Sequence, residues 1–379
     1  MTTNALPGRT ARRKEMSADA KEKYYQATQW QLIWWKFRKH QLAKVAIVVL
    51  GLLYFGALTS EFVSPYGPAL RLEGFEDCRP TPIHLLADGK LMRPFIYKME
   101  SELNPTTFRM TYNENTSQRF PIYFFAPGEP YVFWGIFPTN IHLFTTDGAP
   151  IMLFGTDRLA RDLFSRTIYG SRISLSIGLV GVALAFFLGL TLGGISGYFG
   201  GTVDLVIQRI IEFILSLPTI PLWMALSASL PRMWPVPKTY FFITIILSLL
   251  SWCTLARQVR GKLLSLREED FVVAARLVGS GGLRIMRVHL FPSFTSHLIV
   301  TLTLMIPAVI LGETALSFLG LGMQPPAVSW GVLLQDAQNI VTIAHHPWQL
   351  VPVLFVIATV LMYNFLGDGL RDAADPYSV

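Results

Sequence analysis

Few residues of this chain are arranged for covalent chemistry. The nearest approach to a nucleotide-binding loop is Gly261-Lys262, which lacks both the upstream glycine of G-x-x-x-x-G-K-[ST] and a Ser or Thr after the lysine. Without them the phosphate-cradling backbone and the Mg²⁺ ligand are missing, so the chain is expected not to bind ATP by that motif. The histidines stand at 40, 84, 142, 289, 297, 345 and 346, with no H-E-x-x-H and no Cys/His ligand spacing. His345-His346 reads as an interface pair ahead of Pro347 and an apolar run, not as a metal site. Cys78 lies in a polar loop and Cys253 in an apolar run, so no disulfide is expected between these two cysteines. No catalytic, cofactor or metal residue is assigned, and no cofactor is expected. What remains is a set of charges inside apolar stretches, Arg209, Glu212 and Glu313. Such charges are costly in lipid and are functional candidates, with helix capping or an interfacial position as the other reading.

The elements that hold these residues are membrane helices. With 51% hydrophobic and 15% charged residues among 379, the composition is that of a membrane protein. Spanning takes roughly 20 apolar residues, since about 30 Å of hydrocarbon divides by a 1.5 Å rise. Six stretches qualify, at about 43–63, 172–198, 205–230, 239–258, 293–319 and 348–367. The net charge of +7 is accounted for by residues 1–44, with ten Lys/Arg and three Asp/Glu. No basic patch with interleaved aromatics appears in a folded segment, which argues against nucleic acid as a partner. The first apolar run begins near Val45, too late for a cleaved signal peptide, and is expected to be a retained anchor. Residues 257–292 carry seven Lys/Arg and 320–347 none, so the former belong in the cytoplasm together with both termini. The expected organisation is a cytoplasmic tail with an interfacial helix (1–42), a first span (43–63), an extracytoplasmic insertion (64–165), a five-helix core (166–370) and a cytoplasmic tail (371–379).

Within the insertion, Phe108, Met110 and Tyr112 alternate with Arg109, Thr111 and Asn113. After a polar stretch, Glu114 to Gln118, alternation resumes at Phe120, Ile122 and Phe124. That pattern predicts a β-hairpin turning at 114–118. In the second span Gly181, Ala185, Gly189, Gly193, Gly197 and Gly201 recur every fourth residue, a ridge of small residues that lets another helix approach closely. The neighbour is either a helix of the same subunit or a second subunit.

Residues 270–292 read DFVVAARLVGSGGLRIMRVHLFP. Phe271, Ala274, Ala275 and Val278 share one face of a short helix. Gly279 follows, where the chain must turn, and Ser280-Gly281-Gly282 extend the turn. This segment resembles the EAA loop of ABC importer permeases. Ala274, Ala275, Gly279 and Pro292 fall at its spacing, while Val273, His289 and Phe291 replace its Glu, Ile and Leu; Asp270 lies one turn before. Three further segments resemble the dipeptide, oligopeptide and nickel permeases: 155–179, with Ala160 where glycine is usual; 313–337, a fifth span with an outer re-entrant segment; and 367–376. Trp34 to Lys39 resembles that family's pre-span interfacial helix. The insertion before Gly155 is longer than in most members.

The resemblance implies an all-α integral membrane protein with six transmembrane helices of the ABC importer type I permease fold, carrying an extracytoplasmic loop or small β-containing subdomain, in the bacterial cytoplasmic (inner) membrane. It implies a permease, not an enzyme, that forms half of a translocation path for peptides or similar small solutes. Oligosaccharides, opines and nickel chelates are the alternative cargoes. The implied partners are a second homologous permease, two ATP-binding subunits, an extracytoplasmic solute-binding protein and membrane lipid. Asp270, Phe271, Ala274, Ala275, Gly279 and Pro292 would form the ATPase-coupling loop. An ion-driven secondary transporter would be expected to show internal repeats, and none is clear here. A membrane-embedded enzyme would need convergent catalytic groups, and the acids and histidines are scattered.

Overall fold

The computed structural model describes residues 28–87, 90–103, 105, 110–231 and 233–375. The basic tail up to residue 27, Phe108 and Arg109 of the alternation, and residues 376–379 lie outside the described residues. In chain order the first helices are α1 (Gln29–Phe37), α2 (Gln41–Leu58) and the single turn α3 (Ser60–Val63). After a β insertion come α4 (Leu163–Phe199), α5 (Gly201–Ser216), α6 (Thr219–Ala228), α7 (Val236–Leu266) and α8 (Asp270–Leu277). The chain ends with α9 (Thr295–Phe318), α10 (Trp330–Asp336), α11 (Ile340–His345) and α12 (Val351–Ala374).

Among the described residues, α2, α4, α7, α9 and the stretch Pro347–Ala374 containing α12 are long and apolar enough to cross a membrane. The stretch expected as the third span, 205–230, is a bent pair of helices, α5 and α6, meeting at 86°. The break has a local cause. Pro218 cannot donate to the helix ladder and disfavours helical backbone at the residue before it. Leu217 is accordingly extended, with φ −82° and ψ 136°. The first span also ends earlier than its apolar run, because Thr59 leaves helical geometry at φ −108° and ψ 30°.

The insertion holds an antiparallel meander in the order β1 (His84–Ala87), β2 (Lys90–Leu103), β3 (Met110–Phe133) and β4 (Phe137–Thr146). The expected turn at 114–118 is not a turn. Those residues lie inside β3, where Tyr97 pairs with Arg119 and the next residue, Lys98, with Asn115. Thr116 to Gln118 therefore bulge from the ladder. Asn115 supports the bulge, its side-chain Oδ1 accepting from the Ser117 N–H at 2.9 Å, a local bond that competes with strand pairing. A small core of Ile96, Ile122, Phe144 and Ile151 closes the insertion against Phe164 of α4.

The helical core gathers α2, α4, α7, α9 and α12 around Leu175, Ile243, Leu247, Ile310, Trp330 and Val356. Tyr54 of α2 and Tyr363 of α12 join hydroxyls at 2.6 Å within it.

Candidate functional site

The loop between α7 and α9 is anchored by one residue that the shared-face reading missed. Val272 is fully buried among Leu255, Val259 and Leu263 of α7 and Ile285, Leu290 and Leu298 beyond the loop. Ala275, one turn on, is half-buried on the same side, while Ala274 faces outward with Phe271 and Val278. The two alanines therefore do not share a role: one seats the helix, the other leaves its outer face small. The Val272/Ala275 spacing was the available signal, overshadowed by the longer apolar row opposite.

The end of α8 closes as the sequence demands. Gly279 has φ 86°, with its N–H bonded to the Arg276 carbonyl and the Ser280 N–H to the Ala275 carbonyl at 3.0 Å. That left-handed closure satisfies carbonyls the helix would otherwise leave open. Leu277 and Val278, 84% and 86% exposed, project beside it. Phe271 and Leu283 add to the same exposed apolar surface. Asp270 stands exposed in the first turn, where the positive end of the helix dipole favours an acid. Arg276 lies 5.6 Å from the Tyr198 ring centre at the end of α4. Pro292 is exposed in the helical turn Phe291–Ser293, where its missing N–H falls in the first turn. Phe291, at the position of the resembled leucine, reaches Gly194 of α4, where an added Cβ would lie 3.0 Å from its ring.

The glycine ridge faces α7. A Cβ at Gly181 would meet Val309 and Ser248, at Gly189 the Leu255 side chain, and at Gly193 and Gly197 the backbones of Ala256 and Arg260. Gly201 has open space around it and lies outside this contact. At the same end Arg260 of α7 grips both carboxylate oxygens of Asp204 of α5 at 2.5 Å, and the Ser196 hydroxyl of α4 donates to the same acid. This fork ties α4, α5 and α7 together near the end of α7 from which the loop carrying α8 departs.

Of the charges flagged within apolar stretches, Arg209 and Glu212 form an exposed pair at 2.8 Å on one helix. Glu313 is different, being fully buried. It accepts from the hydroxyls of Ser174 at 3.2 Å and Ser317 at 2.8 Å. Each serine oxygen in turn accepts a backbone N–H, from Trp330 at 3.1 Å and Met323 at 2.8 Å. Glu313 thus holds α10 and the turn before it against α4 and α9.

Outside the spans, Asp157 binds Arg161 at 2.8 Å and also Arg166, with Asp336 of α10 near both arginines. Asp162 caps α4 by accepting from the Ser165 N–H at 2.7 Å, and complete burial pushes its carboxyl up to about 6. Ala160, where the resembled segment usually has glycine, adopts φ 56°, a left-handed backbone that explains the glycine. His345 and His346 sit side by side, with His346 4.0 Å from Asp77, and no metal-binding group of three ligands occurs among the described residues. Cys78 and Cys253 are free and buried, and burial pushes the Cys78 thiol up to about 12.

Long apolar helices, polar ties buried between them and an apolar loop helix outside them define a multi-pass membrane protein. Residues 189–377 match the family model of the binding-protein-dependent transport system inner membrane component, and residues 28–77 that of the N-terminal transmembrane domain of oligopeptide transport permease C. The chain is 41% identical over 224 residues to the dipeptide transport system permease protein DppC of Bacillus subtilis, covering 59% of this chain and 68% of that one. It is 38% identical to the oligopeptide permease OppC of the same organism, over 59% and 71% of the two chains. Against OppC of Haemophilus influenzae identity is 40%, over 59% and 70%. A solved inward-facing MetNI methionine ABC transporter matches with TM-score 0.43 and 16% identity over 56% of this chain and 97% of that one. The chain belongs to the binding-protein-dependent inner-membrane permeases of ABC importers. It is a transport subunit and not an enzyme, and it works in the bacterial inner membrane with ATPase partners.

Proposed function

We propose that this permease forms half of a translocation path for peptides, paired with a second homologous permease, two ATP-binding subunits and an extracytoplasmic solute-binding protein. It crosses the membrane six times, the bent pair α5–α6 counting as one span, with both termini and α8 in the cytoplasm and the β insertion outside. The type I permease fold is part of this reading. Peptide cargo is supported by the dipeptide and oligopeptide permeases it is similar to. Mass spectrometry of the ligand retained by the cognate binding protein would test that cargo.

The observation that carries the proposal is the surface of α8: Phe271, Leu277 and Val278 exposed on a helix outside the spans and seated through Val272 on α7. A groove of the ATPase that covers this surface can pull α7, and through the Asp204–Arg260 fork α5, when nucleotide closes the ATPases. Nucleotide and ligand must each favour one arrangement of the path for this to drive transport.

The test is the pair Leu277→Asp and Val278→Asp, which leaves the seat of the helix intact. Each would place an unpaired charge under the partner at roughly 2 kcal/mol or more, a cost absent from the free permease. Membrane insertion should be unchanged, while co-purification of the ATPase and uptake fall. Normal uptake by the double variant would remove α8 from the coupling role.

A further inference from the structure

The β3–β4 hairpin ends in an exposed apolar tip. Between Glu129 and Asp147 there is no Asp, Glu, Lys or Arg. At the reversal Ile136 and Phe137 are 68% and 61% exposed, and Trp134 is exposed beside them. Tight hairpin turns ordinarily use Gly, Asn or Asp where φ is positive. Here Trp134 itself has φ 52°, followed by Gly135 at φ 70°. A bulky residue held in a left-handed conformation points to a task for its side chain.

The Trp134 Nε1–H donates to the carbonyl of Leu58 at 2.7 Å, the last residue of α2. An 18-residue helix is about 27 Å long, close to the thickness of the hydrocarbon layer, so Leu58 lies where that layer meets the headgroups. Arg172 marks the same level, donating to the Ala57 and Leu58 carbonyls and to both oxygens of Glu61. Phe55 and Leu58 are exposed on the outer face of α2, and the hairpin tip continues that apolar surface beyond the helix end. Phe125, also exposed and at φ 53°, meets Phe62 at 5.9 Å and extends it further.

We propose that the hairpin tip, Trp134 to Phe137, is a membrane anchor that seats in the lipid interface around the end of α2 and fixes the insertion against the bilayer. Tryptophan at headgroup level, with flanking Ile and Phe in the acyl boundary, is the pattern such an anchor needs. The occupant is lipid because the tip prolongs the face of a spanning helix, lies at the depth where that helix ends and carries no charge for an aqueous or acidic partner. This rests on α2 crossing the membrane and not on the assignment of the loop helix.

The test uses the assembled importer in phosphatidylglycerol/phosphatidylethanolamine vesicles, with Ile136→Cys and, separately, Phe137→Cys carrying a nitroxide. The native cysteines are buried, which favours labelling at the introduced site. Leu91, exposed beside Lys90 on β2, supplies the aqueous reference as Leu91→Cys. At 136 and 137 collisions with oxygen should exceed those with a water-soluble nickel chelate, the reverse of position 91. Nickel accessibility at both tip positions equal to that at 91 would overturn the anchor. Shielding from both reagents would show a protein partner on the tip and overturn it equally.

Discussion

Gly193→Ala is expected to destabilise the permease although alanine is the better helix former. Propensity alone would favour alanine by about 1 kcal/mol in a helix interior. The new Cβ would stand 2.5 Å from the Ala256 carbonyl oxygen and 2.8 Å from its Cα, both backbone atoms of α7. No side-chain rotation relieves that contact, so α4 and α7 must part by most of an ångström. Overpacking of this kind costs about 1–3 kcal/mol, and a rigid backbone contact belongs at the upper end. The net loss is about 2 kcal/mol, roughly a thirtyfold shift in an equilibrium constant. Two companions calibrate the result. Gly189→Ala would bring its Cβ to 2.9 Å from the Leu255 Cβ, Cγ and Cδ2, a less severe contact than the 2.5 Å approach to a backbone oxygen at Gly193, and should lose less. Gly51→Ala has open space on α2 and should be neutral or slightly stabilising. The assay is the unfolding midpoint of the purified complex in detergent, with uptake measured in parallel because α7 carries the seat of α8. A Gly193→Ala protein as stable as the parent, or a Gly51→Ala protein equally damaged, would refute the packing account.

The remaining expectations are more local. A reporter fused after residue 379 or placed near Gly279 should read cytoplasmic and one near Asn115 exported; an internal signal at 115 would end the proposed topology. Ala160→Gly should stabilise by about 1 kcal/mol by relieving a left-handed alanine, seen as a raised unfolding midpoint. Asp162 has its folded pKa raised from 3.8 to about 6, so the folded state keeps a proton that the unfolded chain releases. Stability from this group is complete below about pH 4 and is lost as pH rises through about 6, by at most about 3 kcal/mol. Asp162→Asn, which keeps a capping oxygen, should flatten that part of the stability–pH profile.

Much of this molecule could be read from its residues because the bilayer imposes a simple rule: long uncharged apolar runs must become helices. The positions of α2, α4, α7, α9 and α12 follow from it, while the left-handed closure at Gly279 follows from local backbone geometry alone. The hairpin was misplaced because Glu114 to Gln118 has the composition of a turn. Only pairing with β2 across the sheet shows that the residues bulge within a strand. The bend within the third apolar stretch went unread for a related reason, since the apolar content of 205–230 hides a break that Pro218 enforces on Leu217.

The small-residue ridge, the buried acid and the loop helix were visible as types and spacings, and their partners were not. Spacing puts Gly193 on a helix face; the approach of the Ala256 backbone decides which helix needs that space. An acid in an apolar run marks Glu313, and only the fold brings Ser174 and Ser317 from elsewhere in the chain to bind it. Periodicity groups Ala274 with Ala275, and burial of Val272 against α7 separates them. Local rules act on neighbours in sequence and so are written there, whereas packing and hydrogen bonding act on neighbours in space, which the tertiary structure alone selects.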